Sequence, residues 1–522
     1  MRAGSLAAVR IAAETAAGDC ALTTVVRPAA VPARPLAGLA ELVPGAVVEG
    51  DAAGVRLTGV TLDSRSAQSG DLYAALPGAT THGAEFLDQA LAAGAVAVLT
   101  DRPGPHPLPA VVVPDPRRHL GRIASWVYDA PSSSLDVVGV TGTNGKTTTV
   151  YLLEAGFAAA GRGTGLIGTV ETRVLGESVP SVRTTPEAPD LHALLAVMRE
   201  RGAQAVAMEV SSHGLALGRV DGVGFAVAVF TNLTQDHLDF HADMDAYFRA
   251  KASLFQPERC AIAVVNVDDE AGQRIAGATA VPLVTTSAQG RGVADWRATD
   301  VATAADGSRF RLHGPDVGRG RTVRLRLPGG YNVDNALGAI AALHAAGVDL
   351  DAAIGGVESL TGVPGRLERV DAGQPFLAVV DYAHSPDAVA SVLRTVRPLT
   401  RGKVVVVLGC GGDRDRGKRP LMGEAAARGA DVVVVTSDNP RSEDPLAIIA
   451  AVAAGARAAG QAEVVVQPDR AAAIRAACSM AAAGDVLVVA GKGHEQGQEL
   501  ADRTIPFDDR VELRRAIEGL GR

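Results

Sequence analysis

The chain has 522 residues, enough for roughly two to four domains that each bury a core, with 50 Lys+Arg against 58 Asp+Glu for a formal net charge of −8. That balance, the lack of any basic block and an aromatic content of 3% exclude a nucleic-acid footprint and base-stacking platforms. Cys20, Cys260, Cys410 and Cys478 form no Cys-x-x-Cys pair, which excludes a zinc site and suits a reducing cytoplasm, and no apolar run reaches membrane-spanning length.

Residues 1–35 are Ala-rich, interrupted by Glu14 and Asp19 and punctuated by Pro28, Pro32 and Pro35. They are expected to form a poorly ordered extension, not a signal peptide. Residues 36–131 read as a small α/β domain, with strands predicted at 55–62, 72–76, 95–99 and 111–113 and a helix at 84–93. Its loop Asp63-Ser64-Arg65 offers a carboxylate, a hydroxyl and a guanidinium to a polar ligand; a solvated turn is the alternative. Pro131-Ser132-Ser133-Ser134 reads as a linker.

The next unit, 132–362, begins with the stretch around which the chain is organised. An apolar strand, Val137-Val138-Gly139-Val140, runs into Gly142-Thr143-Asn144-Gly145, then Lys146, Thr147 and Thr148, then a helical pattern through Tyr151, Leu152, Leu153 and Phe157. Strand, glycine turn, Lys-Thr and helix make a phosphate cradle: backbone N–H groups approach phosphate oxygens and the helix N-terminus adds its positive end. The usual pattern has a further glycine where this chain has Val140. A polar loop with Thr184 and Thr185 precedes a helix predicted at 190–201. A strand at 205–210 ends in Glu209-Val210-Ser211-Ser212-His213, and one at 225–230 is followed by a loop holding Asp236 and His237. Ligands collect at the carboxyl edge of such sheets, so Lys146, Thr147, Glu209 and His237 are expected to converge there. Lys251 lies in an apolar helical setting, with a snorkelling stem as its bland reading. Asn332 and Asn335 precede a helix predicted at 336–346 and either meet a base edge or cap that helix.

Residues 363–522 repeat strand, polar loop and helix. Strands predicted at 376–380, 403–408, 431–436 and 485–490 end in loops rich in Asp, Arg and Gly: Asp381-Tyr382-Ala383-His384, Gly409 through Arg419, Asp438-Asn439-Pro440-Arg441 and Gly491-Lys492-Gly493-His494-Glu495. Such ends suit a small zwitterion or the outer side of a nucleotide. The expected architecture is α/β throughout: a small N-terminal α/β domain, a central P-loop ATPase with a mostly parallel sheet, and a C-terminal Rossmann-like domain.

These motifs, in this order, resemble the Mur ligase family of bacterial cell-wall synthesis over nearly all of the chain beyond about residue 35. The segments 141–148, 208–213, 231–237, 330–335, 365–368, 381–386, 438–441 and 491–495 carry the resemblance, with Lys251 in Ala-Lys-Ala-x-Leu-Phe and the terminal Pro506-Phe507-Asp508-Asp509-Arg510. Folate-polyglutamate ligases share the ATP motifs but not the 438–441 and 491–495 loops together.

The resemblance implies an ATP- and Mg²⁺-dependent ligase that adds meso-2,6-diaminopimelate to UDP-N-acetylmuramoyl-L-alanyl-D-glutamate through an acyl phosphate, acting in the cytoplasm as a monomer without membrane insertion. It implies that Gly142, Thr143, Asn144, Gly145, Lys146, Thr147 and Thr148 hold ATP phosphates, with Arg366 reaching them from the third domain. Asp381 would meet the ribose, and Asn332 and Asn335 the adenine. Thr147, Glu209, His237 and Lys251 as an N6-carboxylysine would serve Mg²⁺. Ser64, Thr184, Thr185, Ser211 and Arg219 would hold the UDP-sugar-dipeptide; Leu217 stands where some relatives have Gln. Arg414, Asp438, Asn439, Pro440, Arg441, Gly491 and Glu495 would hold diaminopimelate. The rival class is a nucleotide-dependent switch or scaffold that binds ATP and a precursor without ligating them; the full set Glu209, His237 and Lys251 argues against it.

Overall fold

The computed structural model describes residues 26–78, 80–179, 183–290 and 293–520. Three mostly parallel sheets organise them. In the N-terminal unit the order is Val47–Glu49, Ala110–Val112, Ala97–Thr100, Asp71–Ala75, Gly59–Thr61, parallel except for the first pair. The helix Pro116–Val127 covers it. Asp115 accepts from the Arg118 N–H and Pro116 opens the first turn, both favoured helix starts. Leu120, Ile123, Ala124 and Val127 recur at helical spacing and are buried.

The central sheet has 11 strands. From Thr164–Ile167 across Ala205–Glu209, Asp136–Thr141, Phe225–Phe230, Cys260–Asn266 and Leu283–Ser287 to Trp296–Ala304 the pairing is parallel, and antiparallel strands extend both ends. Alternate residues of one strand feed two cores. Val138 and Val140 pack with Val150, Leu153 and Phe157 of the helix Lys146–Ala159 and with the helix Gly330–Ala345. Val137 packs with Leu191, Leu195 and Met198 of the helix Ala188–Glu200. Burial on both faces explains the continuous apolar runs. Register then aligns the strand ends: Val140 faces Glu209 on one side and Val229 on the other, and Thr141 faces Phe230.

The third unit orders Glu368–Arg369, Leu377–Asp381, Val486–Ala490, Val404–Leu408, Val432–Val435, Glu463–Val466, parallel except for the first pair. Val404 and Val406 enter one core, Val405 and Val407 the other.

Some expectations are corrected. Of the proposed extension, residues 1–25 lie outside the described residues, but 26–35 are packed. Arg27 pairs with Asp71 at 3.0 Å, the N–H groups of Ala29 and Ala30 donate to the Glu200 carboxylate, and Arg34–Pro35 pairs with Arg56–Leu57. Pro131–Ser134 is a 3₁₀ turn, not a free linker; Pro131 and Ser132 are buried, and the Ser132 hydroxyl accepts from the Gly224 N–H at 3.1 Å. The predicted strand 55–62 is two short strands, Arg56–Leu57 and Gly59–Thr61. The helix expected from 336 starts at Gly330, so Asn332 and Asn335 lie within it.

The helix Ala188–Glu200 carries His192, fully buried, with one ring nitrogen 2.9 Å from the Asp221 carbonyl. Burial pushes its imidazole down to about 4. The unfolded chain has the ordinary value near 6.5, so this contribution is whole above about pH 6.5 and is lost as pH falls toward about 4. Urea midpoints should fall by the equivalent of about 2 kcal/mol between pH 7 and pH 5, and His192→Gln should flatten that slope. Equal slopes in the two proteins would remove His192 from the account.

Candidate active site

Between the central and third units lies a cleft of about 1290 Å³. Its floor is the carboxyl edge of the central sheet. Gly142 and Gly145 take φ of +148° and +89°, where side chains are strained. At each position a Cβ would also collide, with Thr231 Oγ1 and with Asn335 Oδ1 respectively. The loop is tied to its neighbours: the Asn144 N–H donates at 3.0 Å to Asn232 Oδ1, just past the strand Phe225–Phe230, and Thr143 Oγ1 lies 3.1 Å from the hydroxyl of Tyr247 in the helix Met244–Ala252. Thr147 and Thr148 follow in the first turn of the helix and line the cleft.

Two ammonium groups share one acceptor. Lys146 Nζ donates to the carbonyls of Gly142 at 2.9 Å and Thr143 at 2.8 Å, and Lys251 Nζ donates to Gly142 at 2.7 Å. Lys251 is 1% exposed, with its Nζ 4.5 Å from the Tyr247 ring centre. It does not snorkel. Burial, then the charge of Lys146, drive its amine well below the usual lysine range. Burial lowers Lys146 too, opposed by Glu209 and Asp236.

Glu209 is buried at its strand end, accepting from the Thr169 N–H at 2.8 Å and the Thr169 hydroxyl at 3.0 Å. Thr184 reaches the same threonine at 2.9 Å. The Thr185 hydroxyl donates to the Glu209 carbonyl and accepts from the Ser211 N–H, both at 3.0 Å. Arg219 pairs with Glu187 at 2.9 Å and donates to the Thr185 carbonyl. Thr184, Thr185, Ser211 and Arg219 thus form one wall of the cleft.

His237 holds a left-handed backbone, φ +56°. Burial lowers its imidazole to about 3, against the opposing pull of Asp236, so the ring is neutral at pH 7. Asp236 is buried, which alone would raise it, yet His384, His237 and Lys418 hold it below the usual carboxylate range. His384 and Lys418 come from the third unit, 3.7 Å and 3.5 Å away. Arg366 Nη2 donates to Thr147 Oγ1 at 2.9 Å, and Asn144 Nδ2 to Asp387 at 3.2 Å. These contacts fasten the third unit over the phosphate loop. Asp236, Thr169, His384, Asp387 and Lys418 carried no assigned role in the sequence reading. Asp236 had a signal in its place beside His237; Thr169 had none.

Asp381 lines the cleft, its carboxylate accepting from the N–H groups of Leu367 and Ala383. Asn335 lines it as well, whereas Asn332 donates to the Pro328 carbonyl at 2.8 Å and accepts from Asn335; neither caps the helix, whose start at Gly329 has no side-chain cap. Arg414 and Glu495 line the cleft too. Asp438, Asn439, Pro440, Arg441 and Gly491 stand outside the lining: Arg441 holds Glu499 at 2.6 Å and donates to the Gly412 carbonyl, and Asn439 donates to Glu495 at 3.0 Å. Ser64 sits apart in the N-terminal unit, its hydroxyl donating to Gln89 at 2.6 Å.

Three family models match this chain: the Mur ligase family catalytic domain at 56–126, the Mur ligase middle domain at 140–343 and the Mur ligase glutamate ligase domain at 365–493. The UDP-N-acetylmuramoyl-L-alanyl-D-glutamate–2,6-diaminopimelate ligase of Streptomyces avermitilis is 57% identical over 500 residues, 94% of this chain and 98% of that protein. A solved structure of a ligase of the same name is 35% identical, with TM-score 0.65 over 92% of this chain and 99% of that one. The MurF ligase of Thermotoga maritima in complex with ADP, 19% identical, shares the fold with TM-score 0.61 over 88% and 96% of the two chains.

Gly145→Ala isolates the loop geometry. The left-handed backbone and the contact with Asn335 place about 1–2 kcal/mol of strain on the cradle. ATP affinity, read by calorimetry, should weaken several-fold, and the thermal midpoint should fall by no more than a few degrees. Unchanged affinity would show that the cradle does not bind phosphate.

Proposed function

The chain belongs to the Mur ligase family, and we propose from that premise how its cleft works. The protein is an ATP-dependent ligase that joins meso-2,6-diaminopimelate to UDP-N-acetylmuramoyl-L-alanyl-D-glutamate in peptidoglycan precursor synthesis. The observation that carries the residue assignments is convergence: Lys146 and Thr147, Glu209 and His237 line one cleft with Arg366 of the third unit.

A carboxylate does not acylate an amine, because oxide is not a leaving group. Transfer of the ATP γ-phosphoryl group to the substrate carboxylate gives ADP and an acyl phosphate. The amine of diaminopimelate attacks its carbonyl carbon, the C–O bond to phosphate breaks, and an amide, phosphate and a proton result. Little covalent work falls to the protein, so position and positive charge carry the rate. Lys146 and Arg366 neutralise phosphate charge. Asn335 lies where a base edge can be met, and Asp381 is offered to the ribose. Thr184, Thr185, Ser211 and Arg219 hold the sugar-peptide, with Ser64 toward the uridine side.

Mg²⁺ fits the residues present. Mg²⁺ takes oxygen ligands, and the Thr147 hydroxyl and the Glu209 carboxylate line the cleft with the phosphate loop. Thr147, Glu209 and neutral His237 would supply its protein ligands, and the cation would offset charge on the transferred phosphoryl group. As an ammonium Lys251 would repel it. Its lowered pKa leaves a free amine that can take up CO₂, forming an N–C bond and releasing a proton, and the carbamate offers oxygen instead. We place the protein in the cytoplasm, acting as a monomer. Phosphate release should require both the UDP-dipeptide and diaminopimelate; release without either would favour a switch over a ligase.

Lys251→Ala should lose turnover by about 10²-fold or more, the scale of removing one electrostatic group, and regain part of it with added short carboxylates. Native mass measurement should find one added carboxyl group in the active wild type. Full activity in the variant, or active enzyme without the adduct, counts against the carbamate.

Diaminopimelate is lysine with a further carboxylate, and a guanidinium holds a carboxylate by paired charge-assisted bonds. Arg441, which already binds the Glu499 carboxylate, is the proposed reader, with Arg414 beside it and Pro440 stiffening its loop. Asp438, Asn439, Gly491 and Glu495 would take the far ammonium. Wild type should prefer diaminopimelate over L-lysine by up to about 10⁴-fold, the range of sites built on polar partners, and Arg441→Ala should lose most of that preference. Equal use of both by wild type overturns the amino-acid assignment alone.

A further inference from the structure

Arg470 lines no part of the cleft, yet besides Asp509 its contacts end on Ser437, Asp438 and Ala490, at the roots of the loops given above to the incoming amino acid. It opens the helix Arg470–Met480 and faces Asp509, which opens the helix Asp509–Gly519. Both side chains are fully buried. Arg470 Nε donates to Asp509 Oδ1 at 2.8 Å and Nη2 to Oδ2 at 2.7 Å, a two-pronged pair. The remaining N–H groups reach the ends of two strands: Nη2 donates to the Ala490 carbonyl at 2.9 Å and Nη1 to the Ser437 carbonyl at 3.3 Å, with Asp438 Oδ2 3.8 Å from Nη1. Ala490 immediately precedes Gly491, and Ser437 immediately precedes Asp438. One guanidinium therefore sets the distance between two loop origins.

The loops are then joined above it. Lys492 Nζ donates to Asn439 Oδ1 and to Glu495 Oε2, both at 2.8 Å, and Gln498 donates to the Asp438 carbonyl at 2.6 Å. Gly491 sits at φ +118°, where a Cβ would come within 2.5 Å of Asp438 Oδ2. The two loops touch, and their spacing is not adjustable by side-chain movement alone. A buried ion pair is poor evidence for stability, because an apolar pair of like volume often serves as well. What an apolar pair cannot do is hold two backbone carbonyls in fixed directions.

We propose that Arg470, oriented by Asp509, is a positioning residue for the amino-acid substrate: it fixes the gap between the 437–441 and 491–495 loops. That gap separates Arg441 from Glu495, and the far carboxylate and far ammonium of diaminopimelate must match it. This rests on the assignment of those loops to the incoming amino acid.

The test uses the full-length enzyme with meso-2,6-diaminopimelate, ATP and the UDP-dipeptide. Asp509→Asn and Arg470→Lys should each raise KM for diaminopimelate about tenfold, with KM for ATP and for the UDP-dipeptide within about twofold; Arg470→Lys, which keeps a cation, should be the milder. The double variant Arg470→Met with Asp509→Leu removes both charges, so its thermal midpoint should stay near wild type while KM for diaminopimelate remains high. A role in stability alone would lower active enzyme and kcat with KM unmoved. KM for diaminopimelate within about twofold of wild type in the folded single variants, or all three KM values rising together, overturns the proposal. Wild-type turnover with another amino acid in place of diaminopimelate would instead sink the substrate assignment, and the same variants are then scored on that amino acid's KM.

Discussion

Parallel register is the constraint on which the rest of the cleft depends. Val140 pairs with Glu209 on one side and Val229 on the other, so three strands end level. A slip of one residue would turn every side chain to the opposite face, sending Glu209 into a core. The slip is resisted because alternate residues of the same strands are committed to two separate cores, with Val138 and Val140 in one and Val137 in the other. The chemistry at the strand ends is therefore held by apolar burial well below it.

The second constraint is how the third unit meets that edge. Arg366, Asp387, His384 and Lys418 all reach residues of the phosphate loop or of the 231–241 loop. These are polar contacts, and the one between Lys418 and Asp236 is buried, where desolvation offsets much of the attraction. They suit a joint that must close over substrates and reopen to release them. The apolar burial that fixes the central sheet would be a poor material for that joint.

What the sequence made legible follows the range of the forces involved. Strand, glycine turn and Lys-Thr are local, and so was the reading of residues 137–148. Ends of parallel strands share one edge by rule, so Glu209 and His237 could be brought to Lys146 without knowing the sheet order. Asp236 was in view but not its partners: His384 and Lys418 stand in strand-end loops of another sheet, and nothing in those loops says which residue across the cleft they meet. The start of the helix at Gly330 carries no side-chain cap to mark it, although glycine costs little at a helix N-terminus. Residues 26–35 looked unstructured because their order comes from distant groups: Asp71 for Arg27, and Glu200 for the N–H groups of Ala29 and Ala30.

The carbonyl of Gly142 accepts from Lys146 and Lys251 together. The Lys146 ammonium donates to the Thr143 carbonyl as well. Any anion must compete with two backbone carbonyls for the Lys146 ammonium, and only its difference in affinity for the open and self-bonded loops shifts that equilibrium. A dense polyphosphate offers several charged oxygens to the freed ammonium and the helix N-terminus at once; orthophosphate or a mononucleotide offers fewer. The Lys146 contacts thus favour a ligand of high charge density over a single phosphate.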